Sequence, residues 1–229
     1  MKRLVGGESF SCANVRSRVR LLAACVALSL VALSCGGAET GSKDFDDAAG
    51  ANVKQGVKPE PDAEAAVLET TFGRVVIELY PNLAPKMVER FKTLAKQGFY
   101  DGTAFHRINP QAGVVQGGDP NSKDDDPAND GMGGSDLPDL PAEFSDIPYE
   151  RGIVGAARSS DPNSANSQFY ITLRRVPQWD GQYTVFGRVI EGMSNADVIA
   201  GAPTRPGSEN PADKILIQSV KFQPRANFK

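Results

Sequence analysis

Phe105-His106-Arg107-Ile108-Asn109-Pro110-Gln111-Ala112-Gly113-Val114-Val115-Gln116-Gly117-Gly118-Asp119 is the stretch that decides the fold. Two short β-rich runs, Ala104–Ile108 and Val114–Gln116, lie on either side of Asn, Pro and Gly turn formers. The segment sets a permanent cation, Arg107, close to an amide, Gln116, and a glycine turn. It also contains His106, the only histidine in the protein. No acid, thiol or metal-ligand cluster elsewhere competes with it.

Working outward, more short strands follow from alternation of apolar and polar residues. Val67–Thr71 and Gly73–Leu79 flank Phe72-Gly73, and in the second run Val75, Ile77 and Leu79 share one face. Further runs are Ile153–Ala157, Gln168–Leu173, Thr184–Val189 and Ile215–Phe222. A helix is predicted from Pro85, because Met87, Phe91, Leu94 and Ala95 fall on one helical face and Gly98 can stop it. A second, shorter helix fits Asn195–Ala200, with Ser194 as N-cap and Gly201 as terminator. This count predicts a mainly β domain, a closed antiparallel barrel with two α-helices.

Composition is that of a globular protein, with 40% hydrophobic and 23% charged residues. The net charge is −3, and no long basic run appears beyond the first twenty residues. Nucleic acid is excluded as a partner class, because neutralising phosphates needs clustered Lys and Arg.

Residues 1–34 read as a signal peptide. Lys2, Arg3, Arg16, Arg18 and Arg20 precede an apolar run from Leu21 to Leu33. That run is shorter than the ~20 residues a spanning helix needs, and it suits a signal-peptide core. Ala32-Leu33-Ser34-Cys35 resembles a bacterial lipobox, in which the cysteine is lipidated and becomes the new N-terminus. The expectation is an exported protein held in the bacterial cell envelope by a lipid on Cys35, its membrane anchor. Cys12 and Cys25 would leave with the leader, so the mature chain would carry no disulfide. Removing the leader takes away five basic residues and one acidic one. That leaves 20 Lys and Arg against 27 Asp and Glu, a net −7. Residues 35–64 are small, acidic and poor in large apolar side chains, the composition of a flexible tether. The folded domain is expected over 65–229.

Several chemistries lack their residues. His106 has no second His or Cys partner for a metal, and no Ser lies in a GxSxG elbow. No glycine loop leads cleanly into a helix to cradle phosphate. The acidic loop Asp119–Asp130 lacks the alternation and closing Glu of an EF-hand, so it reads as solvated, with no metal. What remains is Arg107, the amides of Gln116, Asn163, Asn166 and Gln168, and the aromatics Phe105, Phe169, Tyr170, Trp179 and Tyr183. Such a set can bind a neutral peptide group and stabilise a change in its electron distribution.

At these residues the chain resembles the cyclophilin family of peptidyl-prolyl cis-trans isomerases. The motifs are Gly98-Phe99-Tyr100-Asp101-Gly102-Thr103, Phe105-His106-Arg107-Ile108, Gln116-Gly117-Gly118-Asp119, Gly131-Met132-Gly133-Gly134, Glu143-Phe144, Arg151-Gly152, Gly155-Ala156-Ala157-Arg158, Asn163 through Ile171, and Val185-Phe186-Gly187-Arg188-Val189. They occur in family order over essentially the whole predicted domain. The resemblance implies an eight-stranded antiparallel closed barrel capped by two α-helices, needing no cofactor. It implies a monomer that acts on proline-containing polypeptides. Arg107 and Gln116 would be catalytic. Phe105, His106, Ala157, Arg158, Gln168, Tyr170, Trp179 and Tyr183 would contact substrate, with His106 at the pocket edge rather than acting as acid or base. The chain departs from the family between Arg107 and Gln116, where eight residues stand instead of seven. The usual pocket-floor Phe falls on Ala112 or Gly113. A wider pocket leaves open a second reading, a proline-peptide-binding chaperone or scaffold with weak turnover.

Overall fold

The structure, a computed structural model, describes residues 53–229. The leader, Cys35 and the first part of the expected tether lie outside the described residues. Eight strands form in chain order: β1 Glu64–Thr70, β2 Gly73–Leu79, β3 Ala104–Asn109, β4 Val114–Asp119, β5 Ile153–Ala156, β6 Phe169–Thr172, β7 Val185–Glu191 and β8 Ile217–Pro224. Helix α1 spans Pro85–Lys96 between β2 and β3, and α2 spans Met193–Ala200 between β7 and β8.

All eight strands belong to one sheet in the order β3-β4-β6-β5-β7-β2-β1-β8, with every named pairing antiparallel. The mainly β fold with two helices is as expected; the closed barrel is corrected to an open, curled half-barrel. An isolated bridge joins Ala104 to Leu216, and the Phe105 N–H donates to Ile215 O at 2.8 Å. Farther along β3 the free edge is covered by a loop instead of by β8. There the Ile108 N–H donates to Glu209 O at 2.7 Å, and Asn210 Nδ2 donates to His106 O at 3.1 Å. These bonds occupy edge groups that closure would have needed.

The helices follow their sequence signals with one exception. In α1, Pro85 stands in the first turn and Met87, Val88, Phe91, Leu94 and Ala95 are buried. Gly98 follows at φ +70° and donates its N–H to Ala95 O at 3.0 Å, a C-terminal stop. Helix α2 starts earlier than Ser194 predicted. Left-handed Gly192 (φ 81°) precedes it, and Ser194 lies inside the first turn.

One face of the sheet and α1 enclose the main core. Phe91 meets Tyr100, Phe169 and Phe186 at ring-centroid distances of 5.1, 5.7 and 5.6 Å. Burying each such aromatic side chain contributes ~1.5–3 kcal/mol.

Residues 53–64, the last part of the expected tether, make contacts with the domain. Lys54 pairs by its backbone with Phe144 O and Asp146 N, and its Nζ donates to Leu83 O at 2.7 Å. Val57 packs beside the aromatic residues of the outer face, and Glu64 already belongs to β1. Composition hid this because the anchors are hydrogen bonds and one valine rather than a run of large apolar residues.

Candidate active site

β3 and β4 place Arg107 directly opposite Gln116. A regular strand would put Phe105 and Arg107 on the same face. The register slips between these two residues, leaving His106 without a ladder partner. This bulge turns Phe105 into the core, where it is fully buried, and leaves Arg107 half-buried on the outer face. The ladder then runs regularly through Ile108–Val115 and Asn109–Val114. The additional residue before Gln116 is therefore absorbed in the turn, and the Arg107–Gln116 pairing is kept.

Alternation along β4 and β6 sorts the remaining residues. Val115, Phe169 and Ile171 enter the core, while Val114 and Tyr170 join a second apolar cluster on the other face. Tyr170 is paired with both Gln116 and Gly155. Its ring lies over β5 at Gly155, where a Cβ would come within 2.5 Å of the phenol. Only glycine allows that approach.

Loops complete the aromatic wall. Tyr170 and Trp179 meet edge to face at 5.2 Å, and Trp179 lies 5.2 Å from Tyr183. Behind them Tyr170 Oη donates to Tyr149 Oη at 3.1 Å. Burial pushes both of these phenols well above the usual tyrosine range, so they stay neutral. Ala112 is partly buried against this cluster. Its N–H donates to Asn109 Oδ1 at 2.6 Å, and Gly113 follows at φ +82° with the Arg174 side chain over it. The apolar cluster is thus Val114 and Tyr170, both buried, with Trp179, Tyr183 and the small Ala112 partly exposed against it.

A line of polar groups borders the wall. Arg107 Nη1 donates to Gln116 Oε1 at 3.2 Å, and Gln116 Nε2 donates to Gln168 Oε1 at 2.8 Å. Gln168 Nε2 donates in turn to Gly131 O at 3.0 Å and Gly133 O at 2.8 Å. On its other side Arg107 Nε donates to the Glu209 carboxylate. The amides open onto a groove of about 470 Å³ between Gly131–Ser135 and Ala157–Ser159. Arg158 closes one end: its guanidinium sits 4.3 Å from the centre of the Tyr183 ring and donates to Gln182 O at 3.1 Å.

Of the residues expected at the site, Gln116, Gln168, Ala157 and Arg158 line this groove, Arg107 adjoins it through its bond to Gln116, and Tyr170, Trp179 and Tyr183 belong to the aromatic cluster. Phe105 does not join them. It meets Phe169 edge to face in the core at 6.2 Å and offers no surface to a substrate. His106 is buried as well, 3% exposed. Burial lowers its pKa from 6.5, partly offset by the Asp119 carboxylate. Two contributors were missed. Asp119 is fully buried and accepts from the N–H groups of Asn121, Gly131 and Gly133, holding the groove's glycine loop. Its place in the Gln116–Asp119 motif was the available signal. Glu209 has no such signal, because only the fold brings it to β3. The acidic loop already holds a cation: Lys214 Nζ donates to Lys123 O, Asp124 O and Asp125 Oδ1.

Comparison with known proteins agrees with this geometry. The family described as Cyclophilin type peptidyl-prolyl cis-trans isomerase/CLD matches residues 65–222. A probable peptidyl-prolyl cis-trans isomerase of Brucella suis biovar 1 (strain 1330) is 42% identical over 203 residues, 86% of this chain and 95% of that protein. Peptidyl-prolyl cis-trans isomerase-like 1 of Gibberella zeae is 40% identical over 161 residues, 68% of this chain and 92% of that one. A solved cyclophilin type peptidyl-prolyl cis-trans isomerase of Cryptosporidium parvum superposes with a TM-score of 0.63 at 28% identity, covering 71% of this chain and 98% of its own. The chain belongs to the cyclophilin-type peptidyl-prolyl cis-trans isomerases, and its activity is the interconversion of cis and trans X-Pro bonds.

Proposed function

We propose that catalysis runs through Arg107 and Gln116, with the proline ring received at the partly exposed Ala112, Trp179 and Tyr183, which pack against the buried Val114 and Tyr170. The observation that carries this is a guanidinium gripped from two sides, one of its partners being Gln116, whose cross-strand neighbour Tyr170 belongs to that apolar cluster. A prolyl amide rotates over a barrier of ~18–20 kcal/mol because resonance keeps it planar. In the twisted state the resonance is lost and the nitrogen regains its lone pair. A fixed cation at that nitrogen stabilises the twisted state more than the planar one, which is the condition for lowering the barrier. Gln116, held by Arg107 and Gln168, fixes the substrate backbone. Neither residue forms a covalent bond, and no proton is transferred.

The test is a protease-coupled assay on a proline tetrapeptide. Arg107→Ala is expected to lower kcat/KM by ~10²-fold, the usual loss for one preorganised donor. Equal rates for wild type and variant would remove Arg107 from the mechanism.

The clients of this reading are proline-containing segments of exported proteins, met by a monomer tethered through a lipid on Cys35. Support comes from the leader and the lipobox-like Ala32-Leu33-Ser34-Cys35. Radiolabelled fatty acid should enter the wild-type chain in bacteria and not the Cys35→Ala chain. Equal labelling of the two would refute the anchor.

A further inference from the structure

We propose that Glu209 is a positioning residue for this isomerase, holding the Arg107 guanidinium in the orientation that meets the twisted amide. The inference rests on Arg107 being the catalytic cation.

The Glu209 carboxylate is shared. One oxygen accepts from Arg107 Nε and the other from Asn109 Nδ2, so residues two apart on β3 grip it together. Gln116 Oε1 takes Arg107 Nη1 from the opposite side. The guanidinium is therefore fixed at Nε and Nη1, while Nη2 has no hydrogen-bond partner among the described residues.

The loop that carries Glu209 is built to deliver it there. Its Arg205 N–H donates to Asn210 O at 2.9 Å, and the Ser208 N–H donates to Arg205 O at 3.0 Å. This tight turn docks on the two residues flanking Arg107. Asn210 Nδ2 donates to His106 O at 3.1 Å, and the Ile108 N–H donates to Glu209 O at 2.7 Å. One backbone bond and one from the Asn210 amide thus set the position of the acid against β3 independently of its charge.

Exposure decides what the pair is for. The Arg107 and Glu209 side chains are 39% and 46% exposed, and ion pairs this open contribute little to stability. Solvent also screens the carboxylate's damping of the Arg107 field. What survives is orientation. An unheld arginine has large rotamer freedom, and a donor that must be ordered during the reaction is a poorer catalyst than one already in place.

The test compares Glu209→Ala and Glu209→Gln in wild-type and Arg107→Ala backgrounds, in the same protease-coupled assay. Glu209→Ala is expected to lower kcat about tenfold with little change in KM, an interaction made at the transition state. Glu209→Gln keeps an acceptor oxygen for Nε, at the loss of the acceptor for Asn109 Nδ2, and should recover to within about threefold of wild type. In the Arg107→Ala background Glu209→Ala should cost nothing more, because its effect passes through Arg107. The Arg107 Nε–H resonance should exchange slowly with solvent in wild type and Glu209→Gln, and fast in Glu209→Ala. Equal losses in both backgrounds, or an unchanged or faster Glu209→Ala enzyme, would overturn the proposal. Arg107→Ala at the wild-type rate would overturn the catalytic cation as well, and the single variants tell the two failures apart. Should Glu209→Ala not fold, Glu209→Gln decides: a rate tenfold down with fast Nε–H exchange sinks the inference, and near-wild-type values with slow exchange uphold it.

Discussion

On β4 and β6 the inward and outward residues stand one peptide apart: Val115, Phe169 and Ile171 on one side, Gln116 and Tyr170 on the other. The inner set is held by burial, which is non-directional and scales with area. The outer polar set is held by single hydrogen bonds between named atoms, from Arg107 through Gln116 and Gln168 to Gly131 and Gly133. Stability should therefore be lost mainly from the inner face and activity from the outer one, though one polypeptide segment serves both.

The strongest way to break that division is Phe91→Ala. Phe91 is fully buried among Tyr100, Phe169 and Phe186, none of which lines the groove. Removing its ring should cost ~3–5 kcal/mol, read as a fall in the urea midpoint. The kcat of the molecules that remain folded should be unchanged. A comparable fall in kcat would show that core packing sets the geometry of the outer face directly.

Asp119→Ala sharpens the contrast from the outer side. The carboxylate is fully buried, but its partners are backbone N–H groups of the groove loop. The substitution leaves Gly131 and Gly133 N–H groups without their acceptor, at ~1–3 kcal/mol. Part of that should be relieved by the loop moving into water. The expected outcome is a KM rise of several-fold with a smaller loss of urea midpoint than Phe91→Ala. A full-sized stability loss with KM intact would place Asp119 with the core.

The two faces were not equally legible in the sequence. The inner face follows from period: Val75, Ile77 and Leu79 in β2, and Met87, Phe91, Leu94 and Ala95 in α1, were readable because burial selects one side of a regular element. The outer face depends on irregularities that period cannot express. Phe105 and Arg107 alternate as if they shared a face, and only the slip at His106 separates them. The motif containing Arg107 and Gln116 names the pair, and the extra residue between them points to a wider pocket. The turn takes up that residue, and the cross-strand partnership is retained. Glu209 lies 102 residues from Arg107, and its loop carries no pattern that announces where it docks. The contacts of residues 53–64 are hidden for a related reason: Lys54 and Asp62 have the composition of a tether, and their polar atoms meet Leu83 O and Lys92 Nζ.

His106 belongs fully to neither face, and pH offers the finest test of that. Its ring is buried beside Gly131, between the core strand and the groove loop. Burial depresses its pKa below 6.5, with the Asp119 carboxylate opposing. The unfolded chain then takes up a proton near pH 6.5 that the native state refuses. Stability is present in full above that pH, begins to fall as pH drops through 6.5, and levels off once pH is below the folded-state pKa. Asp130 has the opposite sign, since burial raises its carboxyl above 3.8 and the native state binds that proton first. Subtracting a His106→Gln profile from the wild-type profile between pH 7.5 and 5, with urea midpoints as the readout, isolates the histidine. The pH-dependent part of the difference should be the smallest of the three effects, and it should vanish above neutrality. A wild-type midpoint that rises on acidification relative to His106→Gln would mean that Asp119 governs the ring, and that His106 belongs electrostatically to the groove loop rather than to the core.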